Sequence, residues 1–307
     1  MSLQTLPVEI LCMIIRYIGS DQLRKQESCC LAVFKVWYQI AKRILLEDLR
    51  ISAIQLVQAP DNQYPTLRTS LRRLILDIHG PEDWPAEQDI ERLNHALISV
   101  TEKSDHLTSF TLLVRRNYNP RPRPHYASTW NPTPFFNVLG ASKISHLVID
   151  TWGSNMTSSV HICPRLALQL PSLKSLCLRM YSICTEVLEF PRGDSATPSR
   201  IESIIINLSP QDSQRMSKKD PEYCNGRRLL YHAMASEGTK IAKQMPSLKV
   251  FRILRQCHAI ASMDCTNCIT GIETTIAGTG DLEDRRVVEP DEASRTRFSW
   301  MNSDFSS

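Results

Sequence analysis

The chain has 307 residues, of which 42% are hydrophobic and 22% are charged, and its formal net charge is +4. This composition excludes a collagen, a coiled-coil rod and a chain that is disordered throughout, and so small a charge gives little electrostatic argument for binding nucleic acid or a membrane. The ten cysteines are too few for a disulfide scaffold and often lie in apolar runs, as free thiols do. No signal-peptide pattern and no long apolar run is present, so we expect an intracellular protein of the cytoplasm or nucleus.

The N-terminal region has the pattern of amphipathic helices. Apolar residues between Pro7 and Ile18 recur every three or four positions and form one stripe. Pro7 suits the first helical turn, and Gly19 favours the end of this helix. Similar stripes over residues 23–34 and 37–45 predict two further helices.

Seven later segments share the pattern apolar-x-x-apolar-x-apolar, whose last three positions alternate as in a β-strand. They are Leu46–Ile51, Leu71–Leu76, Leu107–Leu112, Ile144–Ile149, Leu173–Leu178, Ile201–Ile206 and Leu248–Ile253. They begin 25 to 47 residues apart, whereas regular leucine-rich repeats use about 20–29 residues. We expect an irregular α/β solenoid that resembles leucine-rich repeats over 51–280, with helices in the connections, and a mobile polar tail over 281–307.

An ordered set of residues near the N-terminus carries a family resemblance. Leu6-Pro7-Val8-Glu9-Ile10-Leu11 is followed by the pair Ile14-Ile15, by Asp21 and Leu23, and by Val33-x-Lys35-x-Trp37. This set resembles an F-box, whose pattern is LPxEIL, an apolar pair, an acidic-leucine step and a valine-x-lysine-x-tryptophan end. The N-terminal segment as a whole is similar to F-box proteins of filamentous fungi. Leucine-rich segments downstream of an F-box are a known pairing.

The resemblance implies a three-helix F-box over residues 1–50 that docks onto a Skp-family linker and, through it, a cullin. The chain would then be the non-catalytic substrate-recognition adaptor of an SCF-type ubiquitin ligase, and its C-terminal domain would bind a protein substrate. The linker-binding residues expected from the resemblance are Leu6, Pro7, Glu9, Ile10, Ile14, Ile15, Ile18, Leu23, Val33 and Trp37. Two alternatives stay open: a scaffold that acts outside the ligase, and a helical cap on the solenoid.

A protein of another class, with zinc or redox chemistry, is a further alternative. Cys257, His258, Cys265 and Cys268 lie within twelve residues, but only the last two have the spacing of a zinc knuckle. We therefore expect no metal and no cofactor. Phosphate-loop, HExxH and GxSxG motifs are absent from the sequence, which favours a non-catalytic protein. Arginines and tyrosines mix over residues 115–126, but the prolines there favour a surface loop over a nucleic-acid site.

The position between the last two apolar residues of each segment points to the opposite face of the predicted sheet. From the second segment onward these residues are Ile75, Thr111, Val148, Cys177, Ile205 and Arg252. Four of the six are apolar, so this face is either covered by the chain itself or open as a binding groove. The groove hypothesis places the substrate on Ile75, Val148 and Ile205, flanked by the polar residues Arg179, Asn207 and Arg252.

Overall fold

The computed structural model describes residues 6–18, 35–59, 70–114, 130–139, 142–151, 161–180, 183–189, 199–208, 227–257 and 262–277. The predicted second helix of the N-terminus, which contains Leu23 and Val33, lies outside these ranges. The predicted tail over 281–307 and most of the proline-rich loop also lie outside them.

Two helices at the N-terminus pack against each other. Helix α1 (Val8–Ile18) and helix α2 (Lys35–Glu47) coincide with the first and third predicted helices. Ile15 of α1 packs with Ala41 and Ile44 of α2 in a small core that is separate from the main one. At the far end of the pair, the Arg16 guanidinium lies 3.1 Å from a Glu47 carboxylate oxygen. The apolar stripes of the two helices thus pack against each other on one side of each helix.

A single nine-stranded sheet forms the body of the structure, and its strands follow one another in chain order. The strands are β1 (Asp48–Ile51), β2 (Arg73–Ile78), β3 (Ser109–Val114), β4 (His146–Asp150), β5 (Ser175–Arg179), β6 (Ser203–Leu208), β7 (Val250–Cys257), β8 (Ser262–Asn267) and β9 (Ile272–Ala277). Neighbouring strands from β1 to β7 are parallel, whereas β8 and β9 are antiparallel. Each of the seven sequence segments carries one of the first seven strands.

Among the described residues, five helices in the connections cover one face of the sheet with apolar side chains. They are α3 (Ala53–Gln58), α4 (Ile90–Lys103), α5 (Thr133–Leu139), α6 (Cys163–Ala167) and α7 (Arg227–Gln244). The described parts of the connections also contain short 3₁₀ helices at Pro81–Asp83, Glu87–Asp89, Leu170–Ser172 and Thr185–Leu188. Ser52 begins α3 with a capping box, in which its hydroxyl accepts from the Gln55 backbone N–H. Within the described ranges, no helix has the length and hydropathy that a bilayer crossing requires.

The main core lies between the helices and the sheet and is built from the apolar positions of the repeated pattern. The strand register aligns Leu74, Phe110, Leu147, Leu176, Ile204 and Phe251 in one row across the sheet. All six side chains are buried. Full burial of such a side chain contributes about 1.5–3 kcal/mol to the free energy of folding. Because the pattern recurs in every segment, its apolar residues form one continuous core.

The antiparallel hairpin of β8 and β9 ends the parallel stack. The hydroxyl groups of Tyr231 on α7 and Thr266 on β8 form a 2.8 Å hydrogen bond. Gly271, with φ of 72°, supplies the left-handed conformation of the turn between the strands. Helix α7 also approaches closely: a Cβ at Gly238 would lie 2.8 Å from the sulfur of Cys268. A glycine at that position permits this contact.

Candidate functional site

The outward side of α1 is an exposed apolar surface. Ile10, Met13 and Tyr17 are 41%, 67% and 94% exposed, and their spacing places them on one side of the helix. The opposite side, with Leu11 and Ile15, is buried. We call the exposed set, Ile10, Met13 and Tyr17, the α1 surface. Helix α1 is therefore apolar on two sides, and α2 covers one of them.

The structure divides the predicted linker residues between exposed and buried positions. Pro7, Glu9 and Ile10 are exposed, and Leu6 and Ile14 are half-buried. Ile15 is fully buried in the core between α1 and α2, so its side chain stabilises the helix pair and offers nothing to a partner in this conformation.

The remaining predicted linker residues are only partly described. Trp37 is half-buried, and its indole Nε1 has no hydrogen-bond partner in the part of the chain that the structure describes. The side chain of Ile18 and the residues Leu23 and Val33 lie outside the description. Met13 and Tyr17, which contribute most to the exposed area, were not among the predicted residues. The signal that identifies them is the helical spacing of three residues from Ile10 to Met13 and four residues from Met13 to Tyr17.

The second face of the sheet carries its own apolar cluster. Val148, Cys177 and Ile205 are buried and pack together with Leu254 and Cys265. They occupy adjacent positions on neighbouring strands, as predicted from the alternation. Burial leaves little of Val148 and Ile205 for a substrate to contact in this conformation. The centre of this face is a packed cluster and not an open groove.

The ends of the same row are more accessible. Ile75 and Thr111, near one edge of the sheet, are partly exposed, and so is Arg252 on β7. Asn207 is buried. Of the predicted substrate residues, Ile75 and Arg252 are therefore the accessible ones, and Thr111, which was not among them, lies partly exposed beside Ile75.

A buried ion pair occupies the row beside this cluster. The Arg179 guanidinium donates two hydrogen bonds to the Asp150 carboxylate, at 2.6 and 2.5 Å, and the residues are 8% and 3% exposed. Such a bidentate pair holds the guanidinium in one orientation. Arg179, predicted to orient a substrate, is instead held by a neighbouring strand.

A polar cleft of about 190 Å³ lies at the β1 end of the sheet. Its charged side chains bind one another. Arg50 pairs with Asp77, the imidazole of His79 lies 3.1 Å from the same carboxylate, and the His79 backbone N–H donates to Asp83. This mutual pairing explains how the cleft keeps its shape and gives no sign of a ligand.

The predicted cysteine cluster near the end of β7 is split between two cores. Cys265 belongs to the cluster on the second face, whereas Cys268 belongs to the main core. Burial raises the pKa of the Cys265 thiol and raises that of Cys268 to about 12. A protonated thiol in apolar surroundings is chemically inert. His258 lies outside the described residues.

A different cluster of ionisable side chains joins two neighbouring connections. The Nε2 atom of His161 lies 3.0 Å from the Cys184 sulfur, and the Cys184 backbone N–H donates to the Cys163 sulfur at 3.4 Å. The pKa of Cys184 is lowered to about 6, mainly by a hydrogen bond from the Cys163 thiol, with smaller contributions from the Glu186 backbone and His161. The sequence analysis did not identify this cluster. The His161-x-Cys163 spacing was its one local signal.

Comparisons with known proteins give little guidance for this chain. No protein-family model matches it, and no curated protein matches it. A crystal structure of a Bacteroides fragilis protein is similar over 71% of this chain and 54% of that one, at 13% identity and a TM-score of 0.37. The chain therefore spans about half the length of that protein. A similarity of this size establishes neither a shared fold nor a shared function.

Proposed function

We propose that this chain is the substrate-recognition adaptor of an SCF-type cullin-RING ubiquitin ligase. In this proposal an N-terminal F-box binds a Skp-family linker, and an irregular α/β array of the leucine-rich-repeat type binds the protein to be ubiquitinated. The chain catalyses no reaction; it raises the effective concentration of its client near the conjugating enzyme. This role belongs to the cytoplasm or nucleus.

The observation that carries the proposal is the α1 surface. A helix that is apolar on both sides is normally covered on both, because exposed apolar area costs about 25 cal/mol per Å². Among the described residues, eight large hydrophobic side chains are exposed, and five of them lie on α1 and α2. Their concentration on one helix pair, in the segment that follows the F-box pattern, favours a partner that receives the pair in an apolar groove.

The client is assigned to the accessible residues of the second sheet face. Ile75 and Thr111 lie on adjacent strands at one end of the row, and Arg252 lies near the other end. An apolar contact at Ile75 and a cationic contact at Arg252 suit a protein segment that carries both hydrophobic and acidic residues. Val148 and Ile205, which lie between these residues in the row, would then be packed residues that hold the strands of this surface together.

The test of linker binding is co-purification of the full chain with a co-expressed Skp-family linker. The variant Ile10→Asp/Met13→Asp changes two exposed side chains, so it leaves the core between α1 and α2 intact. Loss of a central anchor costs about 2–4 kcal/mol, which predicts linker affinity reduced about thirty-fold or more. Leu168→Asp is the matched control, since Leu168 is 52% exposed but lies far along the chain after α6. Wild-type linker binding by the folded double variant would refute the proposal.

The alternatives give different outcomes in the same preparation. Cullin should join the wild-type complex if the chain acts within the ligase, whereas linker without cullin would favour a scaffold outside it. A helical cap on the array would bind no linker at all. For the client, Ile75→Asp together with Arg252→Glu should abolish recruitment while linker binding stays at the wild-type level. Unchanged recruitment would remove the client surface from the proposal.

A further inference from the structure

We propose that His161, Cys163 and Cys184 form a binding site for a thiophilic divalent cation, of which Zn²⁺ is the best fit. The site is separate from the α1 surface and from the second sheet face, and it does not depend on the proposed ligase role. Its three donor atoms, one imidazole nitrogen and two sulfurs, lie within 4.8 Å of one another.

The fold brings these donors together from two places in the chain. His161 and Cys163 lie at the start of α6, after β4, and Cys184 lies just before the 3₁₀ helix Thr185–Leu188, after β5. β4 and β5 are parallel neighbours, and helix α6, which follows β4, packs against the 3₁₀ helix that follows β5. The convergence thus follows from tertiary packing, not from a local sequence motif.

The distances suit a tetrahedral metal. Zinc binds sulfur at about 2.3 Å and nitrogen at about 2.0–2.1 Å, so two ligand atoms on one zinc lie about 3.5–3.8 Å apart. The three donors already lie close to this spacing, and small side-chain rotations complete it. A set of two cysteines and one histidine favours zinc over magnesium or calcium, which prefer oxygen ligands. Three protein ligands leave the fourth position for water or another donor.

A second, independent feature points the same way. The Nε2 atom of His161 faces Cys184, while its Nδ1 atom lies 3.5 Å from a carboxylate oxygen of Glu186. A metal-binding histidine commonly donates its other N–H to a carboxylate, which fixes the tautomer and turns the free nitrogen lone pair toward the metal. Glu186 stands in that position. We assign it as a positioning residue and not as a ligand.

The surroundings are those of a metal site that links two structural elements. Cys163 is fully buried, whereas His161 and Cys184 are half-buried, so the ion can enter from solvent. Ile162, Ile183 and Val187, which are near these donors in the chain, are buried in the main core. A bound ion would tie α6 to the 3₁₀ helix that follows β5, and so join two successive connections of the array.

The test is metal analysis of the full chain, loaded with ZnSO₄ under reducing conditions and then dialysed against metal-free buffer. We expect about one zinc per chain, with Cys184→Ser and His161→Gln each abolishing retention. Cys268→Ser is the matched control, because that thiol is buried in the main core, and it should retain zinc. Replacement by Co²⁺ should give the intense visible bands of tetrahedral thiolate coordination. These bands should be lost in Cys184→Ser.

Glu186 is tested by affinity rather than by stoichiometry. Glu186→Gln should weaken zinc binding about 10–100-fold in a competition with a chromophoric chelator, whereas Glu189→Gln, three residues further on, should not change it. Equal affinities for the two variants would remove the positioning role. Thiol titration of the denatured, unreduced protein distinguishes free thiols from a Cys163–Cys184 disulfide. Such a disulfide would overturn the metal assignment. Wild-type protein without zinc, or zinc retained by both ligand variants, would overturn it as well.

Discussion

Breaking the buried pair of Asp150 and Arg179 by removing one partner should be among the most destabilising single substitutions in the sheet. Replacement of Arg179 by methionine leaves a carboxylate that is 3% exposed without its guanidinium partner. Removing one member of a buried pair costs about 3–5 kcal/mol, against a total of about 5–15 kcal/mol for a protein of ordinary stability. We expect Arg179→Met to lower the free energy of unfolding by about 3–5 kcal/mol.

Urea denaturation measures the effect directly. With a slope of about 3 kcal/mol per molar urea for a chain of this size, the midpoint should fall by about 1 M or more. The double variant Arg179→Met/Asp150→Leu should recover most of the loss, because both charges are then absent. Arg252→Met is the control, since Arg252 is a half-exposed arginine on the same face. A midpoint that is unchanged in Arg179→Met, or not recovered in the double variant, would refute the argument.

Two further predictions concern His146 and Gly238. Burial lowers the pKa of His146, as do the charges of Lys174 and Arg73, while Glu202 opposes them. As the pH falls below about 6.5, His146 therefore takes up a proton in the unfolded chain before it does so in the folded one. The free energy of unfolding should then decrease toward about pH 5. Urea titrations should show a weaker decrease in His146→Gln, and an identical decrease would contradict the lowered pKa of His146. Gly238→Ala would place a methyl group 2.8 Å from the Cys268 sulfur and 2.9 Å from the Phe251 ring, so overpacking of about 1–3 kcal/mol should outweigh about 1 kcal/mol of helix propensity. Its melting temperature should fall below that of Ser236→Ala, an exposed change on the same helix, and a rise would contradict the prediction.

The positions of the parallel strands were accessible from the sequence because their core side chains repeat at fixed spacing. In six of the seven segments, pairs such as Leu74 and Leu76 or Leu176 and Leu178 are two residues apart and fully buried, whereas Leu49 and Ile51 on β1 are partly buried. The alternation also identified the residues of the second face. It could not predict that Val148 and Ile205 are buried there, since alternation gives the direction of a side chain and not what covers it.

The hairpin and the cysteine–histidine cluster escaped sequence reasoning for a different reason. On β8, Asp264 and Thr266 are buried polar residues whose partners, Arg255 and Tyr231, come from other elements. A hydropathy pattern does not identify such a strand. His161 and Cys184 come from different connections, which follow the paired strands β4 and β5, so their contact depends on tertiary packing rather than on local sequence.

The junction between the helix pair and the sheet has no linker. Helix α2 ends at Glu47 and β1 begins at Asp48, while the Glu47 carbonyl accepts a hydrogen bond from the Arg72 backbone and its carboxylate pairs with Arg16. This residue is thus fastened to both parts of the molecule. A flexible tether lets two bound partners search a volume that is set by its length. In the proposed ligase, the direct connection of α2 to β1 would therefore limit how far the linker on the α1 surface and the client on the sheet can move relative to each other.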